Sequence, residues 1–284
     1  MKKTIICILA LLLTANVSAQ GIDYTKADSL KVMDLLKKAK SLKTKTMASY
    51  MVFFGREFKG MPYVAKTLEK HANEKLIVNL RQLDCTTYVE TVLALSRTMA
   101  QCKPTFANYC ENLKKVRYRD GNVAYPSRQH YFTYWIQENT KEKIVENIQT
   151  HNPPFSATQN VNANFMTTHL ESYPMLKGKP QWVKQIAEME ESITGTKQKY
   201  MPTNAVTNSK VARKAVHDGD IIAIVTKKAG LEISHVGIAV WHNDGLHMLN
   251  ASSLNHKVIE DNELLQTYLR KQTSALGIRI ARPL

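Results

Sequence analysis

The sequence predicts an α+β fold, and three observations carry that prediction. Apolar residues recur at helical spacing through the first 118 positions and again over 180–193. From Asp220 onward the pattern changes to short runs of β-branched and alternating residues. Helices that precede strands in this way suit an α+β layout. No repeat and no low-complexity linker interrupts the chain, so its 284 residues are expected to form one domain over 20–284.

Lys2 and Lys3 precede the apolar run Ile5 to Leu13, and Val17-Ser18-Ala19 supplies small residues before Gln20. Residues 1–19 therefore read as a cleavable signal peptide, too short to span a bilayer, and the mature protein is expected to be periplasmic or secreted. Cys7 lies inside that run without the small-residue setting of a lipoprotein signal. Residues 20–50 form an N-terminal helical segment, with Leu30, Met33, Leu36 and Ala39 expected on one face of a helix over 27–42 and a second helix over 46–58. "FKGMPYVAKTLE" is turn and loop. A strong helix follows Cys85, with Tyr88, Val92, Leu95 and Met99 as its stripe and Val89 and Leu93 widening it. Pro104 restarts helix to about Tyr118. Residues 119–206 read as a loop-rich helical insertion that shapes a cleft. It holds a polar loop over 119–130, the aromatic "HYFTYWI" and the 180–193 helix, with Trp135 and Trp182 assigned to core. "DIIAIVT", "SHVGIAVW", "LHMLNAS" and "HKVIED" are strands, a helix lies near 262–272, and "GIRIARP" is the last strand.

Lysine and arginine number 39 against 24 acids, a formal charge of +15, or about +13 once Lys2 and Lys3 leave with the leader. A nucleic-acid partner, an anionic polymer outside the cytoplasm and a basic surface with no specific role all fit that balance. Three cysteines remain after the leader, and an odd count leaves at least one thiol unpaired. Cys102 and Cys110 could bridge across Lys103-Pro104 or be buried singly.

Cys85 has the unusual setting. Asp84 is a good N-cap, so Cys85 falls in the first turn, where the helix N-terminus favours thiolate over thiol. A buried structural cysteine is the competing reading. A cysteine nucleophile needs a base, and His235 opens "HVGIAVW". Alternation puts His235, Gly237, Ala239 and Trp241 on one face of that strand, two of them small enough to let a helix approach. In "WHNDGLHMLNAS", a four-residue turn over His242 to Gly245 pairs Trp241 with Leu246 and sets Asn250 diagonal to His235; a two-residue turn puts it out of reach. Asn250 could then accept the imidazole N–H. Taken singly, His235 and Asn250 also suit ordinary strand-end roles.

Here the residues resemble a family. "LDCTT", "SHVGIAV" and "LNASS", in that order, look like the NlpC-like superfamily of papain-fold cysteine peptidases, with "GMPYVAKTLE" as its P-Y segment. More closely, "LDCTTYVE", "SRQHYFTYWI" and the C-terminal half are similar to the N-acetylmuramoyl-L-alanine amidase-like family. That resemblance implies a papain-like (NlpC-like) fold, with helices packed on an antiparallel sheet and the nucleophile at a helix N-terminus. It implies Cys85 as nucleophile, His235 as base and Asn250 as orienter, although the superfamily often has histidine at the third position. It also implies hydrolysis of the amide between N-acetylmuramic acid, reducing or anhydro, and L-alanine in peptidoglycan fragments. Tyr63 corresponds to the tyrosine near the nucleophile, and Tyr63, Asp84, Arg128, His130, Tyr131 and Ser234 are the substrate-binding candidates. No cofactor and no metal are expected, since HExxH is absent and His242, His247 and His256 lack paired cysteines. The expected partner is a muropeptide, met by a monomer without nucleic acid or stable membrane insertion. A peptide-stem endopeptidase of the same superfamily and a non-catalytic muropeptide binder are the rival readings.

Overall fold

The computed structural model describes residues 21–150 and 153–284; the expected leader, with Cys7 and the cleavage point before Gln20, lies outside the described residues. The order is β1 (Ile22–Asp23), α1 (Lys26–Ala39), α2 (Met47–Glu57), β2 (Leu76–Ile77), α3 (Cys85–Ala100), α4 (Phe106–Arg117), α5 (Phe132–Lys141), β3 (Val145–Asn147), β4 (Ala157–Asn160), α6 (Phe165–Thr168), α7 (Pro180–Ile193), β5 (Lys197–Pro202), α8 (Lys210–Ala215), β6 (Ile221–Thr226), β7 (Ile233–Trp241), β8 (Leu246–Ser252), β9 (Lys257–Glu260), α9 (Leu265–Lys271) and β10 (Ala275–Pro283). It is a mixed α+β chain. The main sheet runs β4-β5-β10-β6-β7-β8-β9, with β3 also on β10, and its strands pair antiparallel. β1 and β2 form a small parallel pair. Among the described residues no helix is long and apolar enough to cross a membrane.

β6, all apolar but for its last residue, is buried along its whole length because both sheet faces are covered. Alternation splits the strands between the two layers. Ile221, Ala223, Val225, Val236, Ile238 and Val240 join Tyr88, Val92 and Leu95 of α3 and the buried stripes of α1 and α2. Ile222, Ile224, Ala239, Met248 and Ile280 pack on the other face with Leu265 and Leu269 of α9. A third cluster gathers Tyr125, Tyr131 and Tyr134 around Ile186, Met189 and Ile193 of α7.

Four features depart from expectation. In α1 the buried positions are Val32, Leu35, Leu36 and Ala39, while Leu30 and Met33 are 59% and 41% exposed. The helix is rotated because Asp28, third residue of its capping box with Thr25, is itself fully buried and accepts from the Leu80 N–H at 2.9 Å and Arg81 Nε at 3.2 Å. The 119–206 segment also supplies β3, β4 and β5 to the sheet. β4 and β5 read "ATQN" and "KQKYMP", polar sequences with no apolar alternation to reveal them. Cys110 is buried and Cys102 exposed, both as free thiols, so no bridge crosses Lys103-Pro104. Trp135 is core, but Trp182 is half-buried, stacked on Tyr125 at 5.4 Å with Lys179 Nζ 3.7 Å over its ring.

Asp28 thus ties α1 to the strand-and-loop that leads into α3. Its burial favours the neutral acid, but the bonds from Thr25, Leu80 and Arg81 outweigh that and hold its pKa below the ordinary carboxylate value. A lowered folded-state pKa contributes stability above the unfolded value that is lost as pH falls through the folded one. Asp28→Ala, which strands the Leu80 N–H, should therefore cost about 2–3 kcal/mol at neutral pH and less in acid. Calorimetric Tm against pH checks this, and a gap of equal size at both ends would refute it.

Candidate active site

The tip of α3 is fixed from both sides. Asp84 Oδ1 accepts from the Thr87 N–H at 2.8 Å and Thr87 Oγ1 accepts from the Asp84 N–H at 2.9 Å, a reciprocal cap that makes Cys85 the first helical residue. Just before it, the Leu83 N–H donates to Pro62 O and the Val64 N–H to Leu83 O, each at 3.1 Å, while the Tyr63 N–H donates to His256 O at 2.9 Å. Tyr63 is thereby clamped between the entry to α3 and the β8–β9 turn. Its hydroxyl is pushed up to about 12 by burial and by the nearby Cys85 and Asp84.

Cys85 is half-buried, and its sulfur faces the backbone N–H of Val236 and the hydroxyl and N–H of Thr86. These donors favour thiolate, as the helix terminus does. Burial and then the Asp84 charge outweigh them and push the thiol up to about 11. The expectation of a resting thiolate is therefore corrected: the carboxylate that caps the helix also raises the thiol beside it.

The β7–β8 register runs from Trp241↔Leu246 to Ile238↔Leu249, and the His242 N–H donates to Gly245 O at 2.8 Å. The turn is the longer, four-residue one, and Asn250 lies against His235 with Oδ1 3.0 Å from Nε2. Asn250 Nδ2 points to Met248 O at 3.4 Å, so its oxygen is the end that accepts. His235 then carries its proton on Nε2 and leaves Nδ1 with a free lone pair. Burial lowers the His235 pKa against the opposing Asn250 bond. Burial thus favours the neutral form of both groups, thiol and imidazole.

The small-residue argument for β7 needs correction. α3 packs on the Val236, Ile238 and Val240 face, not on the face of His235, Gly237 and Ala239. A Cβ on Gly237 would meet Met248 Cγ at 2.6 Å and Leu249 O at 2.7 Å, so the space there is filled by the neighbouring strand. Cys85 instead reaches the backbone of β7 at Val236, one residue past His235.

The other candidates are spread over different tasks. The Arg128 guanidinium is spent on buried Glu74, with bonds of 2.7 to 3.1 Å, and lies 4.8 Å from the Tyr125 ring. His130 Nε2 is 2.9 Å from Tyr125 O, and burial and Arg128 take its pKa down to about 3. The Tyr131 hydroxyl donates to Glu190 at 2.6 Å. These three build the wall of the aromatic segment and offer no free polar group in the form expected. Asp84 is occupied as the cap. Ser234 is exposed at a register shift between β6 and β7, with Oγ 3.4 Å from Ile224 O. Tyr268 of α9 is a residue that sequence reasoning missed. It is half-buried beside the second cluster, and its hydroxyl is raised by burial, Asp261 and Cys85, which puts it within electrostatic reach of the sulfur. Nothing in "ELLQTYLRK" distinguishes that tyrosine from a packing residue.

The profile of N-acetylmuramoyl-L-alanine amidase-like proteins matches residues 53–278. A crystal structure of an N-acetylmuramoyl-L-alanine amidase from Bacteroides uniformis ATCC 8492 is similar at 32% identity and TM-score 0.78, over 84% of this chain and 99% of that one. A Bacteroides fragilis protein provisionally described as a xylanase is similar at 35% identity and TM-score 0.74, over 81% and 99%. A Legionella pneumophila str. Philadelphia 1 protein shares the fold at 23% identity and TM-score 0.69, over 91% and 95%. No curated protein matches the chain. With its profile matched over most of its length, the chain belongs to the N-acetylmuramoyl-L-alanine amidase-like family.

Proposed function

We propose that the protein is a cysteine amidase of papain-like, NlpC-type architecture that cleaves the amide between N-acetylmuramic acid and L-alanine in peptidoglycan fragments. The observation that supports this most is the Asn250–His235 bond on the strand whose next backbone N–H faces the Cys85 sulfur. The proposed site is exported with the signal peptide and meets muropeptides as a monomer outside the cytoplasm.

In this reading the resting pair is neutral, so His235 Nδ1 takes the thiol proton as Sγ attacks the lactyl carbonyl. The C–S bond forms, and the carbonyl oxygen becomes an oxyanion met by backbone N–H groups at the start of α3. Each such donor is worth about 3 kcal/mol in the transition state. The imidazolium, held by Asn250, returns its proton to the leaving nitrogen as the C–N bond breaks and the L-alanine amine departs. Water then gives a proton to His235 while its oxygen attacks the thioester. The sugar acid leaves and the thiol is restored. Tyr63 and Tyr268 lie within electrostatic reach of the sulfur.

Three outcomes test the reading. Incubation with a defined disaccharide-tetrapeptide should release the free sugar acid and the intact stem, and Cys85→Ala should lower the rate by at least about 1000-fold. A truncated stem would mark a peptide-stem endopeptidase, and undiminished hydrolysis by Cys85→Ala would remove the nucleophile. Asn250→Ala should lower kcat by about 10–100-fold, with Asn250→His recovering part of the loss, as judged by steady-state kinetics on the same substrate. Asp84→Asn keeps the helix cap but deletes the charge that raises the thiol. Its iodoacetamide rate at pH 8 should exceed that of wild type by about 3-fold or more, and an unchanged rate would contradict the assigned cause.

A further inference from the structure

The β7–β8 turn holds a group that the amidase chemistry leaves unused. His242 and Asp244 sit in the turn and His247 is the second residue of β8. One ligand atom from each lies within 4.8 Å of the other two, the sole such set among the described residues. His247 is 3% exposed. Its Nδ1 is 2.9 Å from the backbone oxygen of Asp261 and its Nε2 is 3.1 Å from Asp244 Oδ1. A carbonyl oxygen and a carboxylate both accept, while a neutral imidazole has one N–H to give. One ring nitrogen therefore turns a lone pair toward an oxygen unless a proton or a metal ion lies between them.

The surroundings favour a metal ion. The Asp261 carbonyl fixes the His247 proton on Nδ1 and leaves Nε2 as donor atom toward Asp244, the outer support found behind metal-bound histidines. The second ring repeats the arrangement. His242 Nε2 is 2.9 Å from Glu260 Oε1, and the two imidazoles lie 4.4 Å apart. Glu260 is itself gripped by Arg56 through bonds of 2.7 and 3.0 Å, which makes it an orienting carboxylate rather than a ligand. Each histidine thus has one nitrogen anchored by an acceptor, and the three residues offer ligand atoms within 4.8 Å of one another.

We propose that His242, Asp244 and His247 form a site for a divalent transition metal, with His242 Nδ1, His247 Nε2 and an Asp244 oxygen as ligands. Two imidazoles and one carboxylate suit Zn2+ and its neighbours in the first row, with water completing the shell. His247 and Asn250 lie three residues apart on β8 and therefore on opposite faces, roughly 10 Å apart. The ion does not touch the reacting atoms. It clamps the turn whose length sets Asn250 diagonal to His235.

Zn2+ titrated into the chelator-treated full-length protein at pH 7.5, followed by calorimetry, should show one ion bound per chain. Saturating Zn2+ should raise the Tm by about 5 °C. His242→Gln and Asp244→Asn, both at exposed positions, should each weaken binding by at least about 10-fold and abolish the Tm rise, with the metal-free Tm kept near that of wild type. Two results would overturn the proposal: no saturable binding, or full binding retained by the double variant, which would assign the ion to other groups such as the cysteine thiols.

Discussion

The register of β7 against β8 decides whether His235 has an acceptor. Side chains on a strand alternate, so a slip of one residue would turn Asn250 to the helix-covered face, and a slip of two would carry it beyond contact. The four-residue turn closed by the His242 N–H and Gly245 O holds the pairing at Trp241↔Leu246, and the 3.0 Å bond between His235 and Asn250 follows. The same pairing aligns Met248 so that it fills the space above Gly237, which no larger residue could leave open. Ring orientation, tautomer and local packing all descend from one loop length.

Cys85 and His235 are carried by elements that pack on different principles. α3 lies on one face of the sheet through its apolar stripe, and its tip is fixed by the Asp84 cap and the loop carrying Tyr63. His235 belongs by alternation to the other face, with Ala239 and Met248. A regular strand would keep the two apart. The pairing of β6 with β7 shifts between Ile224 and Val225, and Ser234 is the extra residue. A bulge of this kind increases twist and re-aims the side chains next to it. It lies immediately before His235, where a re-aimed imidazole serves the site best, and Val236 N–H then faces the sulfur.

Much of this was legible in the sequence because it depends on local rules. Asp84 before an apolar stripe identifies a helix start, and "HNDG" between two alternating runs identifies the turn. Tertiary choices were not legible. Leu30 and Met33 suit a helical face as well as Val32 and Leu35 do, and only the buried Asp28 carboxylate decides between them. Arg128 and Tyr131 look like free recognition groups until Glu74 and Glu190, 54 and 59 residues away in the chain, arrive to engage them. Polar strands such as β4 carry no pattern at all, since a sheet edge is specified by its neighbour's backbone rather than by its own side chains.

The electrostatics of the site follow from a conflict between folding and reactivity. A carboxylate is among the strongest ordinary caps, and here it holds the helix start that positions Cys85. The same charge, one residue from the sulfur, opposes the thiolate, and burial adds to the opposition. Burial also disfavours a charged His235. Separating charge between two such groups in a half-buried site is unfavourable in the resting state, so a stored ion pair is not what this geometry stabilises. In the proposed mechanism, charge separation is stabilised only once a substrate carbonyl accepts the sulfur electrons. In that proposal the oxyanion stands at the helix terminus, and Asn250 satisfies the imidazolium. A protonated resting thiol of this kind is less open to oxidation than a permanently ionised one.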